Sequence, residues 1–435
     1  MTAESTIFAL ATPPGKSGVA VVRVSGPEAL TTLQQLTGKQ DWQPNHLVYS
    51  VIRHPSSVID HAMAVYFKAP ASFTGDDVAE FHLHGSLAVI QSLLAALGDI
   101  SGLRPAERGE FTRRALLNGK MDLTQAEAVA DLIEAETEAQ TTQALRQLQG
   151  SMSEAYGALR HAILVALAHL EAYIDFPDEE IPASVWENLG GEVGAVQSRI
   201  QAILAQGRRG ERIRDGINIV ILGAPNAGKS SLLNRLAGRE VAIVSHRAGT
   251  TRDMIEVHLN LRGYPVIVVD TAGLRESDDD IESEGIRRAR ARAESADIML
   301  LLLDATDEGA NEATRSLMNE KSLVVINKCD LAAQSPRGVL AISAATGEGV
   351  DRLITQLEER VIALMTGEGA LVTRQRHRLC LEAAQARLSA FFDDLPLELK
   401  CEELRLAASA IGQITGKIHV DDVLDLIFRE FCIGK

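Results

Sequence analysis

The chain has 435 residues, 46% of them hydrophobic, and a formal net charge of -16; that is enough apolar material for a large core, and roughly 150 residues per domain gives about three domains. The acidic balance excludes a broad basic coat for nucleic acid but leaves room for a local RNA patch. With no stretch near ~18 uncharged apolar residues and no basic flank or apolar run in the opening MTAESTIFAL, neither a membrane span nor a secretory signal is expected. Cys329, Cys380, Cys401 and Cys432 lack the paired spacing of zinc sites and the density of a disulfide scaffold, so a cytoplasmic protein with reduced thiols is expected.

Residues 1–118 mix β-like runs (19–24, 63–67, 78–83) with the turn signals PPG (13–15) and SGP (25–27), which predicts an α+β domain. From Asp122 the texture becomes helical. Met152, Tyr156, Leu159, Ile163, Ala166, Leu170 and Tyr173 recur every three or four residues; the acidic, proline-containing DFPDEEIP (175–182) interrupts this period, and Val185, Leu189, Val193, Val196, Ile200 and Ile203 restart it. An antiparallel helical pair follows. The apolar run 217–222 then opens an alternation of strands (266–269, 298–303, 323–326) with helices, which predicts a doubly wound parallel α/β domain over 213–370. Helical period returns over 371–392, 397–411 and 421–431. The α/β domain is therefore expected as an insert in a discontinuous helical domain of residues 119–212 and 371–435.

Inside that insert four stretches stand in one order: GAPNAGKS (223–230), GTTRD (249–253), DTAG (270–273) and NKCD (327–330). A strand, a Gly-rich turn and a helix starting at Lys229 set backbone N–H groups and a helix N-terminus around a β-phosphate. Asn226, Ala227, Gly228, Lys229, Ser230 and Ser231 are the expected phosphate contacts, with Lys229 neutralising the β and γ oxygens and Ser230 a magnesium ligand. The loop Ser245, His246, Arg247, Ala248, Gly249 and Thr250 is expected against the nucleotide, with Thr251 as second magnesium ligand and γ-phosphate sensor. Asp270 would hold magnesium through water, and Thr271, Ala272 and Gly273 would line the γ-phosphate. Asn327 and Asp330 would read the guanine edge; adenine offers no matching pair of N–H donors. Lys328 would cover the ring, and Ser343, Ala344 and Ala345 would meet guanine O6.

Many GTPases place a water-orienting glutamine after DTAG, whereas this chain has Leu274, which cannot hold a water. The acidic loop ESDDDIESE (276–284) supplies candidates. An arginine finger is worth about 10³ to 10⁵ in rate, yet none announces itself: Arg247, Arg252 and Arg275 remain open, and Asn226 could help hold a monovalent cation instead. The arginine-rich runs 208–214 and 287–292 read as solvated faces.

Four further stretches, ATPPGKSGVAVVRVSG (11–26), FTGDDVAEFHLHG (73–85), GEFTRRALLNGKMDLTQAEAVADLI (109–133) and FCIGK (431–435), resemble the MnmE (TrmE) family of tRNA-modification GTPases over the length of the chain. The resemblance implies an N-terminal domain that binds a tetrahydrofolate (5,10-methylene or 5-formyl form) and forms a homodimer. It further implies a helical domain carrying the GTPase domain, and potassium-dependent closure of two GTPase domains. The implied partners are tRNA and MnmG, an FAD and NADH enzyme joined in a heterotetramer. The implied chemistry adds an aminomethyl or carboxymethylaminomethyl group to C5 of the wobble uridine (position 34). The family's folate ligands fall on Arg23, Glu80, Lys120 and Lys435, where cations suit folate carboxylates and a carboxylate suits the aminopyrimidine ring. Its potassium site falls on Asn226, Ser245, Arg247 and Thr250, its water-orienting acid on Glu282, and its C-terminal cysteine on Cys432; a catalytic role is implied for Glu282, Lys229 and Cys432. Taken alone, Cys432 reads as a small apolar residue packed behind Phe431, and His82 and His84 read as one residue on each face of a strand. Two rivals remain open: a ribosome-assembly or translation GTPase switch, and a folate-dependent transferase that works without MnmG.

Overall fold

The structure is a computed structural model that describes residues 5–54, 57–175, 183–243, 256–270, 294, 296–332, 338–367, 369–418, 424, 427–428 and 431–434. It divides into two compact units, one of Met1–Ala130, Gln147–His161 and Ala408–Lys435, the other of Asp131–Arg146 and Ala162–Ala407.

The first unit is built on a six-stranded sheet of order β3-β4-β5-β2-β1-β6. Its strands are β1 (Thr6–Leu10), β2 (Ser17–Ser25), β3 (Val48–His54), β4 (Ser57–Phe67), β5 (Val78–Gly85) and β6 (Leu103–Pro105). All pairings are antiparallel except β1 with β6. Side chains alternate across each strand. Val22 and Val24 of β2 and Phe81 and Leu83 of β5 bury with Leu33 and Leu36 of α1 (Ala29–Thr37) and Leu93 and Leu97 of α2 (Leu87–Gly98). Arg23, Glu80, His82 and His84 hold the alternate positions. The two histidines therefore share one face, contrary to the expectation of one on each, because residues two apart on a strand point the same way.

After α3 (Glu110–Leu117), α4 (Leu123–Glu134) begins a small second cluster in which Leu116, Leu123 and Ala126 bury with Leu424, Ile427, Phe428 and Phe431. The chain's last described residues stay with this unit: Gly109 N–H donates to Cys432 O at 3.4 Å, Arg108 bridges to Ile433, and Gly434 lies against Leu10 O.

In the second unit α7 (Ala183–Ala205) buries Leu189, Val193, Val196, Ile200 and Ile203, as the period predicted. It packs chiefly on the helix Gln375–Ala390 rather than on the helix Ser151–Asp175, and Gln197 Nε2 donates to Ser389 Oγ at 2.8 Å. The arginine run forms α8 (Arg209–Asp215), and it is not a solvated face. Arg209 is buried and donates to Thr366 O at 3.1 Å, Arg212 pairs with Asp297 at 2.7 Å and Arg214 with Asp131 at 3.0 Å. The carboxylates that neutralise the last two lie more than 80 residues away in sequence, where spacing cannot reveal them.

The second sheet has the order β12-β11-β10-β7-β9-β8. Its strands are β7 (Ile217–Leu222), β8 (Glu256–Leu261), β9 (Tyr264–Asp270), β10 (Ile298–Asp304), β11 (Ser322–Asn327) and β12 (Leu340–Ala341). Only β8 runs antiparallel to its neighbour. The central strands are covered on both faces, so INIVIL and IMLLLLD read as unbroken apolar runs. From β7 the chain goes to β9 on one side and to β10 on the other, the point where an open α/β sheet places its ligand beyond the carboxyl ends of the strands. No helix among the described residues is long and apolar enough to cross a membrane.

Candidate functional site

Beyond the carboxyl ends of β7, β9 and β11 the structure brings together residues from three of the four nucleotide stretches. Gly223 follows β7 directly beneath β10, and a Cβ there would stand 2.5 Å from Leu302 O, so only glycine allows the turn. Asn226 (φ 64) and Gly228 (φ 95) bend the loop into α9 (Lys229–Ala237). Lys229 Nζ donates to Gly223 O at 2.9 Å and Ala224 O at 2.8 Å. Burial pushes its ammonium below the usual lysine range, with the Asp270 charge acting the other way. Ser230 Oγ donates to Asp270 Oδ2 at 2.6 Å. That hydroxyl and carboxylate form a hard oxygen set of the kind magnesium takes. Ser231 is exposed at the start of the helix.

Asn327 ties the loops to one another. Its Nδ2 donates to Ala227 O at 2.7 Å, and its Oδ1 accepts from Ala344 N–H at 2.9 Å. Both halves of the amide thus hold the phosphate loop against the Ser343-Ala344-Ala345 turn. Lys328 (φ 64) pairs with Asp304 at 2.6 Å. Burial alone would raise the Asp304 carboxyl, but hydrogen bonds from Lys328 and Thr306 outweigh it and hold it below the usual range. Asp330 sits exposed in a single 3₁₀ turn (Cys329–Leu331). Ser343 is buried and accepts Thr346 N–H at 3.1 Å. Arg235 donates to Ala344 O at 3.1 Å and also to Ala345 O. Asp304 and Arg235 were missed by the sequence reading; the only trace of the first is a carboxylate closing the apolar run LLLL.

Ser245, His246, Arg247, Ala248, Gly249, Thr250, Thr251, Thr271, Ala272, Gly273, Leu274, Glu282 and Lys435 lie outside the described residues. Of the potassium set only Asn226 is described, exposed at the tip of the phosphate loop. A separate cavity of about 140 Å³, lined among others by Asp131, Glu136, Gln140, Arg214 and His258, contains none of the nucleotide-site residues.

The first unit carries the second constellation. Arg23 and Glu80 are register partners across β2 and β5, and Arg23 Nε donates to Glu80 Oε1 at 2.8 Å. The guanidinium lies over Phe73 at 5.2 Å and Phe111 at 5.6 Å. Burial would raise the Glu80 carboxyl, but hydrogen bonds and charge from His82 and Arg23 outweigh it, so the group stays ionised. Its contribution to stability is therefore present above the ordinary glutamate pKa and lost as pH falls through the lower, folded value. Glu80→Gln is expected to flatten the fall of the thermal midpoint between about pH 5 and pH 3, measured by circular dichroism. The exposed Lys120 donates through Nζ to Pro70 O at 2.9 Å. One connection, residues 68–77 between β4 and β5, thus reaches both Arg23, through Phe73, and Lys120, through Pro70. Cys432 is exposed, unlike buried Phe431, so it does not pack behind that ring.

Two protein families match the chain: "GTP-binding protein TrmE N-terminus" over residues 6–120 and "MnmE helical domain" over residues 123–432. The chain is 51% identical over 440 residues to the tRNA modification GTPase MnmE of Parvibaculum lavamentivorans, covering 99% of this chain and 100% of that protein. The protein of the same description from Paramagnetospirillum magneticum is 52% identical over 441 residues, with coverage of 99% and 100%. That from Rhodospirillum rubrum is 50% identical over 452 residues, with 99% of each covered. Among solved structures, the G domain of the T. maritima FeoB iron transporter matches 34% of this chain and 98% of its own at 24% identity, with a TM-score of 0.26.

Proposed function

This chain belongs to the MnmE family of tRNA modification GTPases, and we propose that it spends GTP to modify C5 of the wobble uridine of certain tRNAs, with a folate one-carbon unit and an MnmG partner. The observation that carries this reading is the presence, in one chain, of the guanine-nucleotide loops and of the half-buried Arg23–Glu80 pair on the first sheet. A switch that only times release from RNA has no use for the second.

In this reading the domains are an N-terminal folate-binding and dimerising part over 1–118, a helical part over 119–212 and 371–435, and the GTPase insert over 213–370. The protein acts in the cytoplasm as a homodimer that joins MnmG in a heterotetramer. Asp330 accepts the guanine N–H pair and Lys229 neutralises the phosphate oxygens. Magnesium would be held by Ser230 and Thr251 directly and by Asp270 through water, and it would supply charge for the phosphates. Glu282 orients the attacking water in place of the glutamine that Leu274 displaces. Glu282→Ala is expected to lower GTP hydrolysis about 100-fold with GTP affinity unchanged; equal loss of both, by single-turnover kinetics and equilibrium binding, sinks the assignment. Asn226 with Ser245, Arg247 and Thr250 holds potassium, whose positive charge would do the work of an arginine finger. Hydrolysis is therefore expected to run faster in potassium than in sodium at matched ionic strength, and equal rates reject this. Arg23, Glu80, Lys120 and Lys435 bind the tetrahydrofolate, which supplies the one-carbon unit, and Cys432 serves the modification.

The test is mass spectrometry of tRNA nucleosides from cells lacking the chain and from the same cells carrying it. Loss and restoration of 5-(carboxymethyl)aminomethyl-type uridines supports the reading. An unchanged profile moves it to a ribosome-associated switch, and modification without MnmG to a self-sufficient transferase.

A further inference from the structure

Glu80 is gripped from two sides. Arg23 Nε reaches Oε1 at 2.8 Å, and His82 Nε2 stands 3.2 Å from Oε2. The sheet dictates both contacts, since Arg23 is the register partner of Glu80 and His82 follows it by two residues on the same face. Arg23 is itself fixed, its guanidinium lying over Phe73 and Phe111. The register partners of His82 are Val21 on β2 and Met63 on β4, neither of which competes for the ring nitrogens. The next histidine on this face, His84, is engaged elsewhere, with Asp60 at 2.9 Å.

We propose that His82 is a positioning residue of the one-carbon donor site: by donating to Oε2 it fixes the rotation of the Glu80 carboxylate so that both oxygens meet the paired N–H groups of an aminopyrimidine ring together. The inference rests on the proposed role of Glu80 as a folate ligand. A carboxylate oxygen has two lone pairs, so one donor on each leaves one on each for the ligand. The terminal torsion of glutamate is broad and roughly two-fold, and Arg23 alone, holding one oxygen, leaves it free to turn. A paired N–H edge needs both oxygens in its plane at once. Fixing that plane beforehand removes an ordering cost that binding otherwise bears. Because the carboxyl is held ionised, the facing ring nitrogen carries the proton and donates.

The experiment is calorimetric binding of 5-formyl-tetrahydrofolate to the full chain. His82→Ala is expected to weaken binding about five- to tenfold, and His82→Gln, whose amide nitrogen reaches where Nε2 stood, to restore it to within about twofold. GTP hydrolysis stays unchanged in both, and the thermal midpoint falls only as far as the loss of one hydrogen bond to Glu80 requires. In a Glu80→Gln background, His82→Ala costs nothing further, the signature of a residue that acts through another. Equal binding by wild type and His82→Ala overturns the inference alone, as does an equal loss in the two backgrounds. Failure of the wild-type chain to bind overturns the folate reading, and the inference with it.

Discussion

Asp330→Asn is expected to weaken GTP about 10³-fold and to turn the site toward xanthine nucleotides. The carboxylate of Asp330 offers two acceptors to guanine N1–H and the exocyclic amine, and charge-assisted bonds of this kind are worth about 1.5–3 kcal/mol each. Asparagine keeps one acceptor and sets its own N–H₂ against a donor, so one bond is lost and one contact becomes repulsive. A site built around hydrogen bonds discriminates steeply against such a mismatch. Xanthine carries a carbonyl where guanine has its amine, and the asparagine amide matches it. Since Asp330 is exposed, the thermal midpoint should hardly move. Competition by GTP and XTP against a fluorescent guanine nucleotide checks both halves; undiminished GTP affinity would falsify the assignment of this carboxylate to the base.

Lys229→Met is expected to cost at least about 10³-fold in GTP affinity without destabilising the fold. The methylene stem and its packing are kept, while the cation beside the β and γ oxygens is removed from a site where little water screens it. Lys229 is 8% exposed, and burial lowers its pKa. The sign of the linkage follows: a lysine depressed in the folded state disfavours folding while it is charged, and that penalty fades only as pH approaches the unfolded lysine value. Its removal at neutral pH should leave the thermal midpoint level or raise it. Equilibrium dialysis with GTP alongside a melting curve separates the two effects; a large fall in melting temperature would mean that the contacts to Gly223 and Ala224 are structural.

The nucleotide site was legible because its chemistry is local. The runs 217–222, 266–269, 298–303 and 323–326 fall within β7, β9, β10 and β11, since strands buried on both faces leave an apolar signature that needs no partner to be read. The same logic hid the edges: EVHLNL alternates and LA is two residues long, so β8 and β12 did not stand out. Long-range pairings were invisible for another reason. Asn327 spans 100 residues to reach Ala227, and Arg214 spans 83 to reach Asp131, so neither leaves a periodic trace. Arg23 and Glu80 were picked out only through the family resemblance. Without the β2–β5 register, a lone arginine and a lone glutamate look like ordinary surface charges.

The first unit draws on three separated lengths of chain, and its last piece begins at Ala408. At roughly 5–20 residues per second, a ribosome needs roughly 15–60 s to travel from the end of the first piece to the start of the last. Over that interval Leu116, Leu123 and Ala126 have no Leu424, Ile427, Phe428 or Phe431 to cover them. The second sheet, whose strands span residues 217–341, is synthesised in full before Ala408 is reached. Synthesis thus delivers the six-stranded sheet of residues 6–105 first and the second sheet next, and the apolar surface around Leu123 stays uncovered until Leu424, Ile427, Phe428 and Phe431 emerge.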